Sequence, residues 1–542
     1  MSNYQIIIPM SGFGERFRKA GYTLPKPLID VHGKPIIAHV IDLFPKETDF
    51  IFICNQEHLD HPEYRLQETL TQLCPTGRIL GIASHKLGPI HAVLQAQGLI
   101  SLDKQTIVNY CDFACYWDWE DFKSTVEKNQ CKGAIPAYKG FHPHSLGSTN
   151  YAYILETNGW LQDIQEKQPY TDNRMNEYAS SGTYYFSSGK VMLDAFNDTI
   201  KNGLDLNGEY YVSLAYKSML AKKMPIAVYP IEYFMQWGTP EDLVEYQGWH
   251  KTFEQLLTPD LKPAPYGNLI IPMAGLGQRF SNEGYKVTKP LIEVSGKPMV
   301  IQASNDLPPS KNQIFVLRAD MPGLEDIQKE IRGDYPNALF HVVEKVTDGQ
   351  ASTSLIGLDA LLQEIGNNAE PITVGACDNG ALYNRTAFDQ LQRDPGIDVI
   401  VWATRKHANA VRHPQMYGWI NADQDGDIKN ISVKTPLTYP ATDPIVIGTF
   451  TFRNATILRN CIESLKQRDG KVNGEFYLDS CINDAINLGM TCKLFEVDHY
   501  ISWGTPNDLK TFEYWQLCFD LWDSHPYKLA ADARVQTSKS TL

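Results

Sequence analysis

Residues 6–17 read IIIPMSGFGERF, and residues 269–280 read LIIPMAGLGQRF, with 8 of 12 positions identical. A second block repeats at the same offset of 263 residues. It reads GYTLPKPLIDVHGKP at 21–35 and GYKVTKPLIEVSGKP at 284–298, with 10 of 15 positions identical. A period near half the chain is far too long for a solenoid unit, so it predicts two copies of one whole domain. Each copy opens with an apolar strand, a Gly-rich turn and a basic residue.

The correspondence runs on through the chain. NYAYI (150–154) matches MYGWI (416–420), SGTYYF (181–186) matches IGTFTF (447–452), NGEYYV (207–212) matches NGEFYL (473–478), and QWGTPEDL (236–243) matches SWGTPNDL (502–509), all at an offset of 266. EKQPY (166–170) matches VKTPL (433–437) at 267. So steady an offset predicts one topology for both copies. The stretch LLTPDLKPAPYG (256–267) is rich in proline and reads as a linker. The expected domains are therefore 1–255 and 268–524, with a loose polar tail over 525–542.

Within each copy, short β-rich apolar runs such as YQIIIP, DFIFIC and QTIVNY alternate with helical patterns such as AVLQAQGLI. That alternation predicts an α/β fold with a largely parallel central sheet. Ligands of such sheets bind beyond the carboxyl ends of the strands, where the Gly-rich turn after Ile8 falls.

The bulk composition is that of a globular protein: 542 residues, 43% hydrophobic and 21% charged. No apolar run reaches the roughly 18 residues of a membrane span. The opening MSNYQIIIPM has no basic segment ahead of an apolar core, so no signal peptide is expected. Ten cysteines without a CxxC pair suit reduced thiols, and the expectation is a cytoplasmic protein. A net charge of −14 argues against a nucleic-acid partner. Homo-oligomer formation is left open by the sequence.

The glycines at 12 and 14 follow the strand directly, as do those at 275 and 277. Gly residues let backbone N–H groups approach a ligand closely, and a row of such donors at a helix start cradles an anion. A GxG turn alone is equally a tight turn. The dinucleotide fingerprint fails, because Phe17 and Phe280 stand where its third glycine belongs. Arg16 and Arg279 follow instead, and then Lys26 and Lys289 within KPL. Two cations beside a Gly-rich turn suit a triphosphate: Arg binds phosphate in a fork and Lys acts as a point charge. The alternative, solvated surface cations, is weakened by recurrence of the whole spacing.

This pattern, GxGxRF…KPL…GKP, resembles the nucleotidyltransferases that make sugar nucleotides from sugar 1-phosphates. The resemblance implies tandem Rossmann-like domains of the glycosyltransferase-A type. It implies Mg²⁺-dependent joining of an NTP to a phosphorylated small-molecule acceptor, with release of pyrophosphate. Arg16, Lys26, Arg279 and Lys289 become the catalytic cations. Nucleotide binding falls to Met10, Gly12, Gly14 and Gly88 in copy one, and to Met273, Gly275, Gly277, Gly349 and Gln350 in copy two. EKQP and VKTP resemble the segment whose lysine holds the acceptor phosphate, giving Lys167 and Lys434. NGEYY and NGEFY give Glu209 and Glu475 facing the acceptor, although a glutamate there could also cap a helix. NYCDF and GACDN give Asp112 and Asp378 as metal ligands, with a strand-end turn aspartate as the plainer alternative.

The chain departs from the family pattern in places. Gln236 and Ser502 stand where many members have a second metal aspartate. An amide oxygen keeps Gln236 as a ligand, and a serine hydroxyl is a poorer one. Glu232 and Asp498 lie four residues earlier and read best as surface acids. Copy two keeps the G-x-A base-binding pattern at Gly349, Gln350 and Ala351; copy one has Gly88, Pro89 and Ile90. Thr288 replaces the proline of PKP. Three functions follow as expectations. The first is a tandem nucleotidyltransferase supplying capsule or other surface-glycan precursors. The second is one active copy beside a nucleotide-sensing or scaffolding copy. The third is a glycosyltransferase consuming a nucleotide sugar, which normally needs a D-x-D that Cys111-Asp112 and Cys377-Asp378 lack.

Overall fold

A computed structural model describes residues 3–148, 150–258, 262–366 and 369–536. The chain divides into two compact units, Met1–Gln247 and Gly248–Leu542. The division lies inside the helix Pro240–Leu256, upstream of the proline-rich stretch expected to form the join. Leu243 and Tyr246 at its start are fully buried, and Phe253 near its end stacks on Phe512 at 5.6 Å. Apolar side chains at helical spacing thus carry the helix across the division and on to Leu256, where the expected linker begins.

Among the described residues, the first unit forms a ten-stranded mixed sheet. Its centre is the strand Tyr4–Met10, in which Ile6, Ile7 and Ile8 are wholly buried. A parallel strand covered on both faces reads as such an unbroken apolar run. It pairs in parallel with Phe50–Asn55 and with Gln105–Asn109, and Phe50–Asn55 pairs in parallel with Arg78–Ile82. The parallel character stops there. Thr183–Phe186 inserts antiparallel between Gln105–Asn109 and Gly133–Tyr138, and the ladders beyond it are mixed. The expected parallel sheet therefore describes the half that carries the Gly-rich turn. Antiparallel neighbours need no crossover helix, so apolar runs alone do not reveal their direction.

The second unit repeats the plan in a nine-stranded sheet among the described residues. Asn268–Pro272 pairs in parallel with Asn312–Arg318 and Ile372–Val374, and Ile445–Phe452 lies antiparallel beside Ile372–Val374. Each unit also has a separate two-stranded ribbon. Phe113–Tyr116 pairs with Tyr233–Gln236 in the first, and Asn379–Leu382 with His499–Ser502 in the second.

The expected loose tail is packed as far as Gln536. The His525 ring stacks on Phe519 at 4.0 Å. Tyr527 is fully buried, and its hydroxyl donates to Asp532 and accepts from Gln516, both at 2.9 Å. Arg534 pairs with Asp306 at 2.9 Å, and Gln536 N–H donates to the Ser295 carbonyl. Low periodicity misled here, because the segment is held by single anchors rather than by an amphipathic face. Residues 537–542 of that tail lie outside the described residues.

Candidate active site

The turn after Tyr4–Met10 ends on Gly14, whose φ of 64° is left-handed and opens the helix Glu15–Lys19. Gly277 does the same at 62° before Gln278–Asn282. Such a φ favours glycine, because a Cβ crowds the backbone there. A Cβ built on Gly12, Gly14 or Gly275 meets nothing within 4 Å, so the turns face open space. Met10 and Met273 are 5% and 3% exposed. Their side chains belong to the core, and a ligand can meet only their backbone.

Lys26 lies in the short 3₁₀ turn Lys26–Leu28, and its Nζ donates to Asp112 Oδ2 at 2.7 Å. Lys289 repeats this with Asp378 at 2.5 Å and also reaches the Gly504 carbonyl at 3.2 Å. Burial opposes the charge on each lysine, but the facing carboxylate outweighs it and the pKa is raised. The ribbons bring in the next residue. Gln236 pairs with Phe113, and a Cβ on Gly238 would lie 2.6 Å from Gln236 Nε2 and 3.0 Å from Asp112 Oδ2. The amide and the carboxylate therefore face one spot. In the second unit Ser502 Oγ donates to Asp508 at 3.1 Å, and a Cβ on Gly504 would lie 3.3 Å from Asp378 Oδ2.

The carboxylate oxygens of Asp112 and Asp378 suit a hard cation, and the Gln236 amide lies beside the first of them. Mg²⁺ takes one or two protein oxygens and keeps waters and phosphate oxygens for the rest. Asp112 with Gln236, and Asp378 with Ser502, meet that requirement.

Arg16 and Arg279 are exposed. Arg16 feels both Lys26 and Tyr211, and Arg279 feels Lys289, Lys434 and Tyr477. Arg16 and Lys26 thus share one electrostatic field in the first unit, and Arg279, Lys289 and Lys434 share one in the second.

Lys167 and Lys434 both hold left-handed backbone, at φ of 59° and 60°. Lys167 Nζ donates to Tyr211 Oη at 2.6 Å, and that hydroxyl donates to Glu209. Lys434 Nζ donates to the Met416 carbonyl at 2.5 Å and lies 5.2 Å from the Tyr477 ring centre. Burial lowers the Lys434 pKa; Asp479 and Glu475 oppose it and Arg279 adds to it. Tyr211 and Tyr477 were not singled out from sequence. Their signal was present as the last aromatic of NGEYY and NGEFY, but tyrosines are common core residues.

Gly88 and Gly349 start the helices Pro89–Gln95 and Gln350–Ile365, and Gln350 is half-buried at the second of these starts. Each glycine is pressed on the segment that carries Glu209 in the first unit and Glu475 in the second. A Cβ on Gly88 would lie 2.6 Å from Tyr210 N, and one on Gly349 2.5 Å from Phe476 N. Backbone bonds fasten the contact: Tyr210 N–H to Leu87 O at 2.9 Å, and Ile90 N–H to Tyr210 O at 3.2 Å. Phe476 does the same with Asp348 and Ala351. In the first unit an open hollow lined by Ser84, His85, Leu87 and His91 adjoins this glycine.

The model of the nucleotidyl transferase family matches residues 5–247. The catalytic subunit beta of mannose-1-phosphate guanylyltransferase from Dictyostelium discoideum is 25% identical over 272 residues, covering 49% of this chain and 69% of its own length. Mannose-1-phosphate guanyltransferase beta-A of Xenopus laevis is 26% identical over 187 residues, 33% of this chain and 49% of its own. This chain thus spans about half the length of the second relative. A solved nucleoside-diphosphate-sugar pyrophosphorylase from Vibrio cholerae RC9 aligns over 44% of this chain and 98% of its own, with 21% identity and a TM-score of 0.38.

Proposed function

We propose that each unit joins an NTP to a phosphorylated small-molecule acceptor; the match of the nucleotidyl transferase family model to residues 5–247 supports this for the first unit. A sugar 1-phosphate is the leading acceptor class, and an activated surface-glycan precursor the leading product. One observation carries the reading. In both units a lysine beyond the Gly-rich turn meets the aspartate beyond the third parallel strand, at 2.7 and 2.5 Å.

In the reaction, an oxygen of the acceptor phosphate attacks the α-phosphorus of the NTP. The bond from that phosphorus to the bridging oxygen breaks, and pyrophosphate leaves. The attacking oxygen is already anionic, so no general base is required. Positioning and charge neutralisation are the main tasks. The open glycine turn offers backbone N–H groups to the triphosphate. Arg16 and Lys26, or Arg279 and Lys289, neutralise its oxygens. Lys167 or Lys434 draws the acceptor phosphate toward the α-phosphorus, and Tyr211 ties Lys167 to Glu209. Mg²⁺, held by Asp112 and Gln236 or by Asp378 and Ser502, would supply charge neutralisation at the phosphates. Among the described residues no helix is long and apolar enough to cross a membrane.

The test is pyrophosphate release across the four common NTPs and a panel of phosphorylated acceptors, with and without Mg²⁺. Metal-dependent release with a particular pair in each unit is expected. Failure of the folded protein to bind any NTP would overturn the reading.

A further inference from the structure

The two units keep a carboxyl group beside the acceptor lysine at different places in the chain. In the first unit it is Glu166, which directly precedes Lys167 at the end of the strand Trp160–Glu166. Ser213 Oγ, from the helix Val212–Ala221, donates to Glu166 Oε2 at 2.5 Å. Burial pushes the Glu166 pKa up to about 7, with Lys167 and Glu209 among its charged neighbours.

In the second unit all the matching positions have changed. Val433 precedes Lys434, so the strand has lost its acid. The helix position that matches Ser213 is Asp479, in Leu478–Asn487, so the helix has gained one. Ala152 is matched by Gly418 in the aligned segments NYAYI and MYGWI. That glycine makes room: a Cβ on Gly418 would lie 2.2 Å from Asp479 Oδ2. Burial raises the Asp479 pKa to about 6, and the charge of Lys434 opposes that rise.

What the relocated carboxyl lacks, among the described residues, is a side-chain donor; it has its own backbone N–H and the charge of Lys434. Glu166 has the Ser213 hydroxyl, whereas Asp479 accepts no hydrogen bond from another described residue. Lys434 has turned its Nζ to the Met416 carbonyl instead. A half-buried carboxyl held only by its own backbone N–H keeps unused acceptor capacity, which is costly to bury for packing alone. A cavity cut for it by glycine, beside the lysine of the acceptor segment, places it where an acceptor would lie.

We propose that Asp479 is the acceptor-selecting residue of the second unit. It accepts a hydrogen bond from a donor group of the molecule whose phosphate Lys434 holds. It approaches from the helix side, whereas Glu166 approaches from the strand side. The two units therefore select different phosphorylated acceptors. This inference rests on the nucleotidyl-transfer reading above.

The experiment uses the full chain with the first unit silenced by Asp112→Ala. Probes are hexose 1-phosphates, an inositol 1-phosphate, phosphoethanolamine and phosphocholine. The first two present hydroxyl donors, the third an ammonium donor, and the last no head-group donor. Asp479→Ser should raise the acceptor KM roughly ten- to hundredfold, as expected for a hydrogen bond to a charged group, and leave the NTP KM within about twofold. Gly418→Ala should do the same with Asp479 still present, because its Cβ displaces the carboxylate. Val433→Glu with Asp479→Ser should move the acceptor ranking of the second unit toward that of the first, measured with Asp378→Ala. Asp479→Asn keeps the volume and guards against a folding defect, which melting curves would reveal. An unchanged acceptor KM in both Asp479 variants, or preference of the second unit for phosphocholine, overturns the inference. Absence of transfer by the second unit with every NTP and probe overturns the reading beneath it.

Discussion

Lys26 Nζ lies 2.7 Å from Asp112 Oδ2, across 86 residues of chain, and each side chain is less than a quarter exposed. The lysine proposed to meet phosphate thus holds the carboxylate proposed to meet metal, and Lys289 with Asp378 repeats the arrangement. Charge on the two groups is balanced before any ligand arrives. On the proposed reading, metal and triphosphate would let each group exchange its partner for a ligand of the same sign as that partner.

Removing the cation should therefore fall on the chemistry. Lys26→Ala and Lys289→Ala should each lower kcat of their own unit by about 2–4 kcal/mol in barrier terms, as for loss of one oxyanion donor. Melting temperatures should move little, because partly exposed ion pairs add at most about 1 kcal/mol. Steady-state kinetics on each unit, with the other silenced, measures this. Full activity in both variants and in their combination would show that the phosphate cradle is misassigned.

The glycines separate into two kinds. Gly88→Ala drives a Cβ into the Tyr210 backbone at a φ of 87°, so it should destabilise the first unit by about 1–3 kcal/mol. It should also raise KM for both substrates, because the loop and the acceptor segment are fastened there. Gly12→Ala meets no atom within 4 Å. Its melting temperature should stay near that of the parent while the NTP KM rises. Similar melting temperatures for both variants would remove the distinction.

Tyr211 links Lys167 to Glu209 through its hydroxyl. Tyr211→Phe should raise the acceptor KM several-fold and leave NTP binding near normal, since a lost hydrogen bond of this kind is worth about 1 kcal/mol. Isothermal titration with a non-hydrolysable NTP checks the second half. A weakened NTP affinity would place Tyr211 on the nucleotide side.

His39 is 3% exposed, and a ring nitrogen meets the Val31 carbonyl at 2.7 Å. Burial pushes its pKa down to about 4 from 6.5. A depressed histidine leaves the unfolded chain binding more protons between these values. Stability of the first unit should then be full above pH 6.5 and fall as pH drops toward 4, by up to about 3 kcal/mol from this group. The second unit shows the remedy: Gln302 fills the matching position and donates to the Val294 carbonyl at 3.0 Å. His39→Gln should keep the bond and flatten the acid loss, read as denaturant midpoints at pH 7.5 and 5. An equally steep acid loss in the variant would assign it to other groups, such as His142.

Much of this protein is legible in its residues alone. The doubled GxGxRF and KPL blocks declare two copies of one plan, each with a glycine turn after its first strand and cations beside it. These features are local, because a strand end, a turn and a helix start lie within a dozen residues and their chemistry depends on spacing. Other features required the folded chain. Lys26 meets Asp112 only because parallel strands bring distant loops to one edge of the sheet. Gly88 is needed because another backbone passes within van der Waals reach, and no spacing rule records that neighbour. The packing of residues 525–536, the break at Gln247 inside a helix, and the carboxyl moved from strand to helix at Asp479 are likewise long-range. Each depends on which surfaces meet in three dimensions, and periodicity along the chain carries no information about that.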